Sequence, residues 1–257
     1  GSVEGEYQKF MQRFLDDALG GDEKVLGNIL GPMAIARANI PMEMICTVLK
    51  NKIIQGNSDA CEEEIQDLVN EKLLGVCNLL VESTDGQNQV LSFVHKSMSD
   101  WLTNTKTRKP FRIYDSKAHQ AMLDLLANHS KSAFALQHHV YHLLSAKKYE
   151  KASELLLDPE WLLQALESGA RIQLVLDGLH NDALWPKDKR DANVTAILRT
   201  LELGAKALQH DPKQLASQLF GRLSHGHPIL PRIEQLYKKK AFKWLKPTQM
   251  TLTPAES

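Results

Sequence analysis

The first 75 residues carry apolar side chains at intervals of three and four positions. This spacing predicts amphipathic helices, because residues three and four apart lie on one helix face. The pattern predicts helices at about residues 6–19, at 21–38, from Pro41 onward and at 60–74. Proline suits the first turn of a helix because the first residue there needs no N–H.

The pattern changes to short apolar runs after these helices. Residues 79–82 and 90–94 are typical of two strands, and the turn between them contains the pair Asp85-Gly86. Three or four helices followed by a hairpin is the layout of a winged helix. Residues 1–110 are therefore predicted to form a winged-helix domain.

From Asp115 onward the pattern is helical. Apolar residues keep helical spacing over several turns in 172–183 and 194–208. Two more helices open with Asp-Pro, at Asp158 and Asp211, where the carboxylate can accept unpaired N–H groups and proline needs none. Successive helices with short polar joints predict antiparallel pairs stacked as in an α-solenoid.

The predicted fold is therefore mainly α: a winged helix with one small β-hairpin, followed by an α-helical, solenoid-like array. The array would span residues 111–246 as a helical domain. The Thr- and Pro-rich stretch 247–257 is typical of a linker toward a downstream domain. The opening pair Gly1-Ser2 is common in cloning remnants, which favours a segment cut from a longer protein.

The composition is that of an ordinary globular protein. Hydrophobic residues make up 43% of the 257 positions, which excludes a mainly disordered chain. The 31 basic and 31 acidic side chains cancel, whereas a dedicated nucleic-acid binder usually has a basic surplus. The balance hides a split: residues 1–110 hold 11 basic and 16 acidic side chains, and residues 111–257 hold 20 and 15.

Two short stretches account for this split. Residues 57–75, on the helix ahead of the hairpin, hold six acidic residues and one lysine and would repel DNA phosphates. Residues 228–246 hold six basic residues and one glutamate, interleaved with Tyr237, Phe242 and Trp244. That pattern can stack bases or meet lipid headgroups, but a solvated helix face with its rings packed inward is the favoured interpretation.

Cysteine usage and hydropathy favour a cytoplasmic protein. Cys46, Cys61 and Cys77 have neither the pattern of a disulfide framework nor that of a zinc site, so we expect free thiols in a reducing compartment. No apolar run reaches the roughly 18 residues of a membrane span. No signal peptide opens the chain, and no membrane partner is expected.

No catalytic constellation stands out, so we do not expect this fragment to be an enzyme. It has no P-loop, no Gly-x-Ser-x-Gly and no kinase signature. His138 and His142 have the i,i+4 spacing of zinc ligands, with His119, His129 and His139 nearby. No carboxylate motif accompanies them, so helix packing is favoured over metal binding, and no cofactor is expected in the fragment itself.

His95 and Lys96 stand just ahead of a short helix predicted at about 98–104. Ser97 and Asp100 have capping-box spacing, which places the helix N-terminus beside the two basic residues. Free N–H groups and the positive end of the helix dipole suit a phosphate at such a place. A structural histidine at the end of a strand is the alternative interpretation.

Several short motifs, taken in order, resemble a known family. The segment Phe93–Leu102, Phe-Val-His-Lys-Ser-x-x-Asp-Trp-Leu, is similar to the one that closes the winged helix of NACHT-type signalling ATPases bearing WD-repeat propellers. These belong to the STAND ATPases, which include apoptotic protease-activating factors and plant disease-resistance proteins. Residues 138–144 with 149–150 resemble the helical domain that follows. Residues 211–215 and 244–247 resemble the exit into the propeller.

The resemblance covers about residues 1–255 and implies a regulatory role. In the family, a histidine at the position of His95 contacts the β-phosphate of bound ADP and helps to hold the closed, inactive state. Lys96 stands where many members have aspartate, as is usual among the propeller-bearing relatives, and is assigned to the same nucleotide site. The P-loop, the Mg²⁺ and the hydrolytic groups that act on ADP or ATP would lie upstream.

The fragment alone would then bind nucleotide weakly or not at all. Its implied partners are the upstream nucleotide-binding domain and the downstream ligand-sensing propeller of the same chain. Further protein partners, and oligomerisation of the activated full-length protein, are also implied. Two alternatives remain open: a free-standing peptide-binding helical scaffold and a DNA-binding winged helix.

Overall fold

The computed structural model describes most of the chain as two compact units, Gly1–His129 and Ser130–Ser257. The described residues are 3–56, 61, 63–65, 67–68, 70–71, 80–85, 88–93, 95–169, 176, 180–247 and 252–255. They are mainly helical, and one antiparallel hairpin is present among them. The predicted mainly α class with a small hairpin is therefore confirmed.

The first unit combines helices with a small sheet. Its elements are α1 (Val3–Arg13), α2 (Glu23–Ile35), β1 (Ile40–Pro41), α3 (Met42–Gly56), β2 (Leu80–Asp85), β3 (Asn88–Phe93), α4 (Lys96–Thr103) and α5 (Asp115–Asn128). A π-helical turn, Phe14–Ala18, extends α1. Of the helix predicted at 60–74, the described residues 63–65, 67–68 and 70–71 are helical, and the other positions except Cys61 lie outside the described residues.

Helix α2 forms the centre of the first unit and packs along α5. It begins where the Asp22 carboxylate accepts hydrogen bonds from the N–H groups of Lys24 and Val25, both at 3.0 Å. Its buried face carries large aliphatic residues, each worth about 1.5–3 kcal/mol when fully buried: Val25, Leu26, Ile29, Leu30 and Met33. A Cβ at Gly31 would stand 3.4 Å from the Cα of Ala118, in ordinary van der Waals contact, so the two helices lie close together at this point.

The sheet has three strands in the order β1-β3-β2, all antiparallel. In the hairpin, Leu80 pairs with Phe93 and Asp85 pairs with Asn88, so Ser83 and Thr84 lie in β2 instead of the predicted turn. Pro41 pairs with Val90 in β1 and does not open α3, which begins at the next residue. An edge strand tolerates a residue that has no N–H to donate, which explains this placement of Pro41.

The regular secondary structure in the described residues of the second unit is all helical. Its elements are α6 (Ala133–Ser145), α7 (Tyr149–Leu156), α8 (Pro159–Glu167), a 3-10 turn (Lys187–Lys189), α9 (Ala192–Leu203), α10 (Ala205–His210), a second 3-10 turn (Pro212–Gln214), α11 (Leu215–Arg222) and α12 (Ile229–Lys239). Trp185 and Tyr237 are its largest fully buried side chains. Within the described residues of both units, no helix is long and apolar enough to cross a lipid bilayer.

Both Asp-Pro pairs cap the turns that they were predicted to open. Asp158 accepts a hydrogen bond from the N–H of Glu160 at 3.1 Å, and Asp211 accepts one from Lys213 at 3.0 Å. The first pair begins α8. The second begins the 3-10 turn that leads into α11.

The predicted helical runs at 172–183 and 194–208 differ from the structure in their extent. Most of 172–183 lies outside the described residues, and Ala183 belongs to a turn in which the Asn181 side chain accepts its N–H at 3.0 Å. The run 194–208 is divided at Gly204 into α9 and α10. Apolar spacing alone could not show this division, because both helices bury residues of the same periodic set.

The predicted domain division at 110 and the predicted linker at 247–257 stay predictions. Helix α5 packs against α2, so the first unit extends to His129. The described end of the chain returns to the second unit: the N–H of Leu252 donates to the Gly221 carbonyl at 3.1 Å, and that of Ala255 donates to the Arg222 carbonyl at 3.2 Å. Ala255 is buried as a result.

Candidate functional site

His95 is the N-cap residue of α4. Its backbone is extended, with φ −143° and ψ 135°, and its Nδ1 accepts a hydrogen bond from the N–H of Ser97 at 3.2 Å. The sequence predicted the cap at Ser97, paired with Asp100. The structure places it two residues earlier, because the imidazole nitrogen takes the role that a serine or aspartate oxygen usually fills.

Ser97 links His95 to the first helix of the unit. Its Oγ lies 2.7 Å from Nδ1 of His95 and 2.6 Å from the hydroxyl of Tyr7 on α1. The Tyr7 ring lies 5.9 Å from the Trp101 ring, which in turn lies 6.1 Å from that of buried Phe111. His95 is thus connected to α1 through one hydroxyl, and α1 is held there by aromatic contacts.

Lys96 occupies the first position of α4 and lines an open groove of about 250 Å³. Arg37, from the segment between α2 and β1, lines the same groove together with Asn39. Ser99, one turn into α4, is also at its wall, and the floor is apolar: Met33, Ile40 and Leu91. Two cations and a helix N-terminus beside one groove suit an anionic ligand.

The structure therefore brings Lys96 and Arg37 together at one groove, and His95 immediately precedes Lys96 in the chain. Arg37 was not identified from the sequence, where it is an isolated basic residue 59 positions before Lys96. Its approach depends on β1 pairing with β3, and a two-residue strand leaves almost no sequence pattern. In the sequence, this pairing is indicated by no more than the short segment Ile40–Pro41 and the apolar strand at 90–94.

A second recess, of about 310 Å³, lies between α2, α3 and α5. Asn28, Asn51 and Asn128 line it, together with the carboxylates of Asp22 and Asp124. Lys24 also lines the recess, but the two carboxylates outnumber it and would repel an anion, and Asp22 already caps α2. This recess therefore does not compete with the groove at Lys96 as a phosphate site.

The histidine cluster is built into the helices of the two units. His138 and His142 are buried on α6, with ring centroids 4.5 Å from Phe134 and 5.1 Å from Tyr141. Burial lowers the pKa of His119 and that of His139 below the ordinary histidine value, so both favour the neutral ring. Among the described residues, no group of three or more His, Cys, Asp or Glu side chains is arranged to hold a metal ion.

The aromatic rings of the basic stretch 228–246 contact one another and Phe220 on α11. Trp244 lies 5.1 Å from Phe220 and 5.8 Å from Tyr237, measured between ring centroids. Glu234 accepts from Lys246 at 2.9 Å and pairs with Lys238 at 3.2 Å, and these bonds lower the pKa of its carboxyl. The rings therefore pack inward and part of the positive charge is paired.

Within the acidic stretch 57–75, the described residues expose four carboxylates. Glu63, Glu64, Asp67 and Glu71 are exposed, and Ile65 is buried. A surface of this charge disfavours contact with phosphate backbones.

No protein-family model matches the chain, and a search of curated proteins finds no match.

Proposed function

We propose that the chain is a regulatory and architectural segment of a STAND-type signalling ATPase. It would couple an upstream nucleotide switch to a downstream ligand-sensing propeller. In this proposal the first unit is a winged helix and the second a solenoid-like helical array. The strand β1, which falls between helices in the chain and pairs with β3 of the hairpin, supports the winged-helix assignment.

The observation that carries the proposal is the arrangement at the start of α4. His95 caps the helix, Lys96 follows it, and Arg37 faces the same groove as Lys96. A β-phosphate carries charge that such donors can stabilise, and hydrogen bonds to charged groups are worth about 1.5–3 kcal/mol each. The motif Phe93–Leu102 adds the resemblance to the family segment that contacts ADP.

The proposed mechanism is a shift between two populations. Contacts from His95 and Lys96 to bound ADP would favour the closed state, and a ligand on the propeller would favour the open one. The segment itself supplies no P-loop. In this proposal Mg²⁺ and the groups that hydrolyse ATP belong to the upstream domain. The protein would act in the cytoplasm, where Cys46 and Cys61, which are not joined in a disulfide, would stay reduced.

The two alternatives receive less support. Exposed carboxylates at Glu63, Glu64, Asp67 and Glu71 oppose the DNA-binding alternative. A peptide-binding scaffold would need a groove on the second unit for an extended segment, and the cleft of about 990 Å³ beside α7 mixes lysines with carboxylates in nearly equal number.

ADP retention by the full-length protein tests the proposal. We expect His95→Ala, Lys96→Ala and Arg37→Ala each to release bound ADP at least about tenfold faster, because each would remove a bond to a charged phosphate. The matched control is Lys106→Ala, an exposed lysine in the loop after α4 that does not line the groove. Wild-type retention of ADP in all three variants would refute the proposed nucleotide contact.

A further inference from the structure

We propose that Tyr7 and Ser97 are positioning residues that hold His95 in one tautomer, with the N–H of its Nε2 directed away from the helix. Their hydroxyls and His95 form a hydrogen-bond chain of fixed direction that begins on α1. The identity of the ligand at Nε2 rests on the proposed function, whereas the chain of hydrogen bonds can be tested independently of it.

The first step follows from the helix cap. A backbone N–H can only donate, so the nitrogen that receives the Ser97 N–H must carry a lone pair. That nitrogen is Nδ1 of His95. In a neutral imidazole one nitrogen carries the proton and the other accepts, so the proton of His95 is on Nε2.

The second step fixes the direction of the two hydroxyls. Since Nδ1 has no proton, the contact of 2.7 Å between it and Ser97 Oγ requires the serine hydroxyl to donate. Serine has one hydroxyl proton, so at the 2.6 Å contact with Tyr7 its oxygen must accept. The tyrosine O–H therefore donates to Ser97, which donates to His95.

The direction of the hydrogen bonds determines which group His95 presents to its surroundings. Two donors converge on Nδ1, the serine O–H and the Ser97 N–H, and both oppose a proton there. His95 is exposed, and its Nε2 makes no hydrogen bond to any described residue. The ring thus offers an N–H donor to an anion, whereas the other tautomer would offer a lone pair and repel it.

The chain also makes the site dependent on α1. Tyr7 is kept near Ser97 by its ring contact with Trp101 on α4, which packs toward Phe111. If α1 moves, Ser97 loses its donor and its hydroxyl becomes able to turn away from His95. Displacement of α1 would therefore weaken the donor at Nε2 without any change in His95 itself.

Nitrogen NMR of the 257-residue chain tests the hydrogen-bond chain. The histidines are labelled with ¹⁵N and the spectrum is recorded at about pH 8.5, two units above the ordinary pKa of histidine. We expect the His95 Nδ1 signal to be that of an unprotonated nitrogen. Tyr7→Phe and Ser97→Ala should each shift it. Matched controls are Tyr114→Phe, an exposed tyrosine, and Ser116→Ala, a serine at the second position of α5 as Ser97 is of α4. A protonated Nδ1, or an identical signal in all variants, would overturn the inference.

Release of ADP from the full-length protein then separates this inference from the proposed function. We expect Tyr7→Phe to accelerate release about fivefold, the effect of losing one neutral hydrogen bond, and Tyr114→Phe to leave it unchanged. If His95→Ala accelerates release and Tyr7→Phe does not, the positioning role is overturned. If the NMR shift occurs and neither variant affects release, the positioning of His95 is supported and the proposed function fails.

Discussion

His95 uses its two ring nitrogens for different purposes. Nδ1 accepts the N–H of Ser97 and so caps the N-terminus of α4, and Nε2 is on the side of the ring away from this hydrogen bond. Substitution of this residue by alanine therefore changes two properties at once, the stability of the helix and the capacity to donate outward. Asparagine separates the two, because it is among the best N-cap residues but its shorter side chain ends before the position of the imidazole Nε2, so its amide N–H groups cannot replace that donor in place.

We expect His95→Ala to lower the free energy of unfolding by about 1 kcal/mol, the usual cost of losing an N-cap. His95→Asn should unfold close to the wild type. In the full-length protein both variants should lose ADP faster. Urea unfolding of the chain and ADP release together measure the two effects, and an equal loss of stability in both variants would show that Nδ1 does not act as the cap.

Tyr237 is another residue whose chemistry the fold alters. It is fully buried, its hydroxyl donates to the Lys213 carbonyl at 2.9 Å, and burial raises its pKa to about 12. In the unfolded chain a tyrosine ionises near pH 10. The folded state therefore holds the proton more tightly, and this stabilisation is complete below pH 10 and is lost as the pH rises toward 12.

We expect the free energy of unfolding to fall between pH 10 and 12 by about 2–3 kcal/mol more in the wild type than in Tyr237→Phe. The comparison with phenylalanine removes the contribution of all other groups. Urea unfolding at several alkaline pH values measures it. Parallel curves for the two proteins would mean that Tyr237 ionises as readily in the folded state as in the unfolded one.

At the scale of elements, periodicity and caps predicted most helices, but single residues decided their limits. Asp158 could be assigned as a cap because Asp-Pro is a local signal. Gly204 divides a continuous apolar run, and Pro41 belongs to an edge strand. Both depend on tertiary partners that a periodic pattern does not contain. The same applies to Arg37, which reaches the groove at Lys96 only through the pairing of β1 with β3.

Helix α11 contacts the segment 252–255 through Gly221, whose carbonyl accepts the N–H of Leu252. A Cβ at Gly221 would stand 2.8 Å from Cδ1 of Leu252, closer than two carbons can approach. Gly221→Ala should therefore displace Leu252 and loosen residues 252–255. The helix itself should gain up to about 1 kcal/mol, because alanine is a better helix former than glycine.

Hydrogen exchange measures this displacement. We expect the amides of Leu252 and Ala255 to exchange faster in Gly221→Ala, with no loss of global stability. The control is Gly226→Ala, whose added Cβ would meet no atom within 4 Å. Unchanged protection at both amides would contradict the docking of this segment on α11.

At the scale of the whole molecule, the chain consists of two units that each have their own core. Ile29, Ile45 and Leu49 are among the fully buried residues of the first, and Trp185 and Tyr237 are among those of the second. The composition predicted an ordinary globular protein, and the balanced total charge disfavoured a dedicated nucleic-acid binder. The division at His129 could not be read from composition, because it follows from the packing of α5 on α2.

We expect residues 1–129 and 130–257, produced separately, each to fold and to unfold cooperatively, since a compact unit with its own core can fold alone. Circular dichroism and urea unfolding measure this. A non-cooperative transition in either fragment, where the intact chain unfolds cooperatively, would mean that the unit depends on the other for its stability.

The contact between Tyr7 and Trp101 also has an optical consequence. Trp101 is the sole tryptophan within residues 1–129, because the other three are Trp161, Trp185 and Trp244. A tyrosine ring 5.9 Å away transfers its excitation energy efficiently to this indole. The fluorescence of a 1–129 fragment, excited through tyrosine, would therefore dim when α1 leaves α4, so the movement of this helix can be timed without attaching any dye.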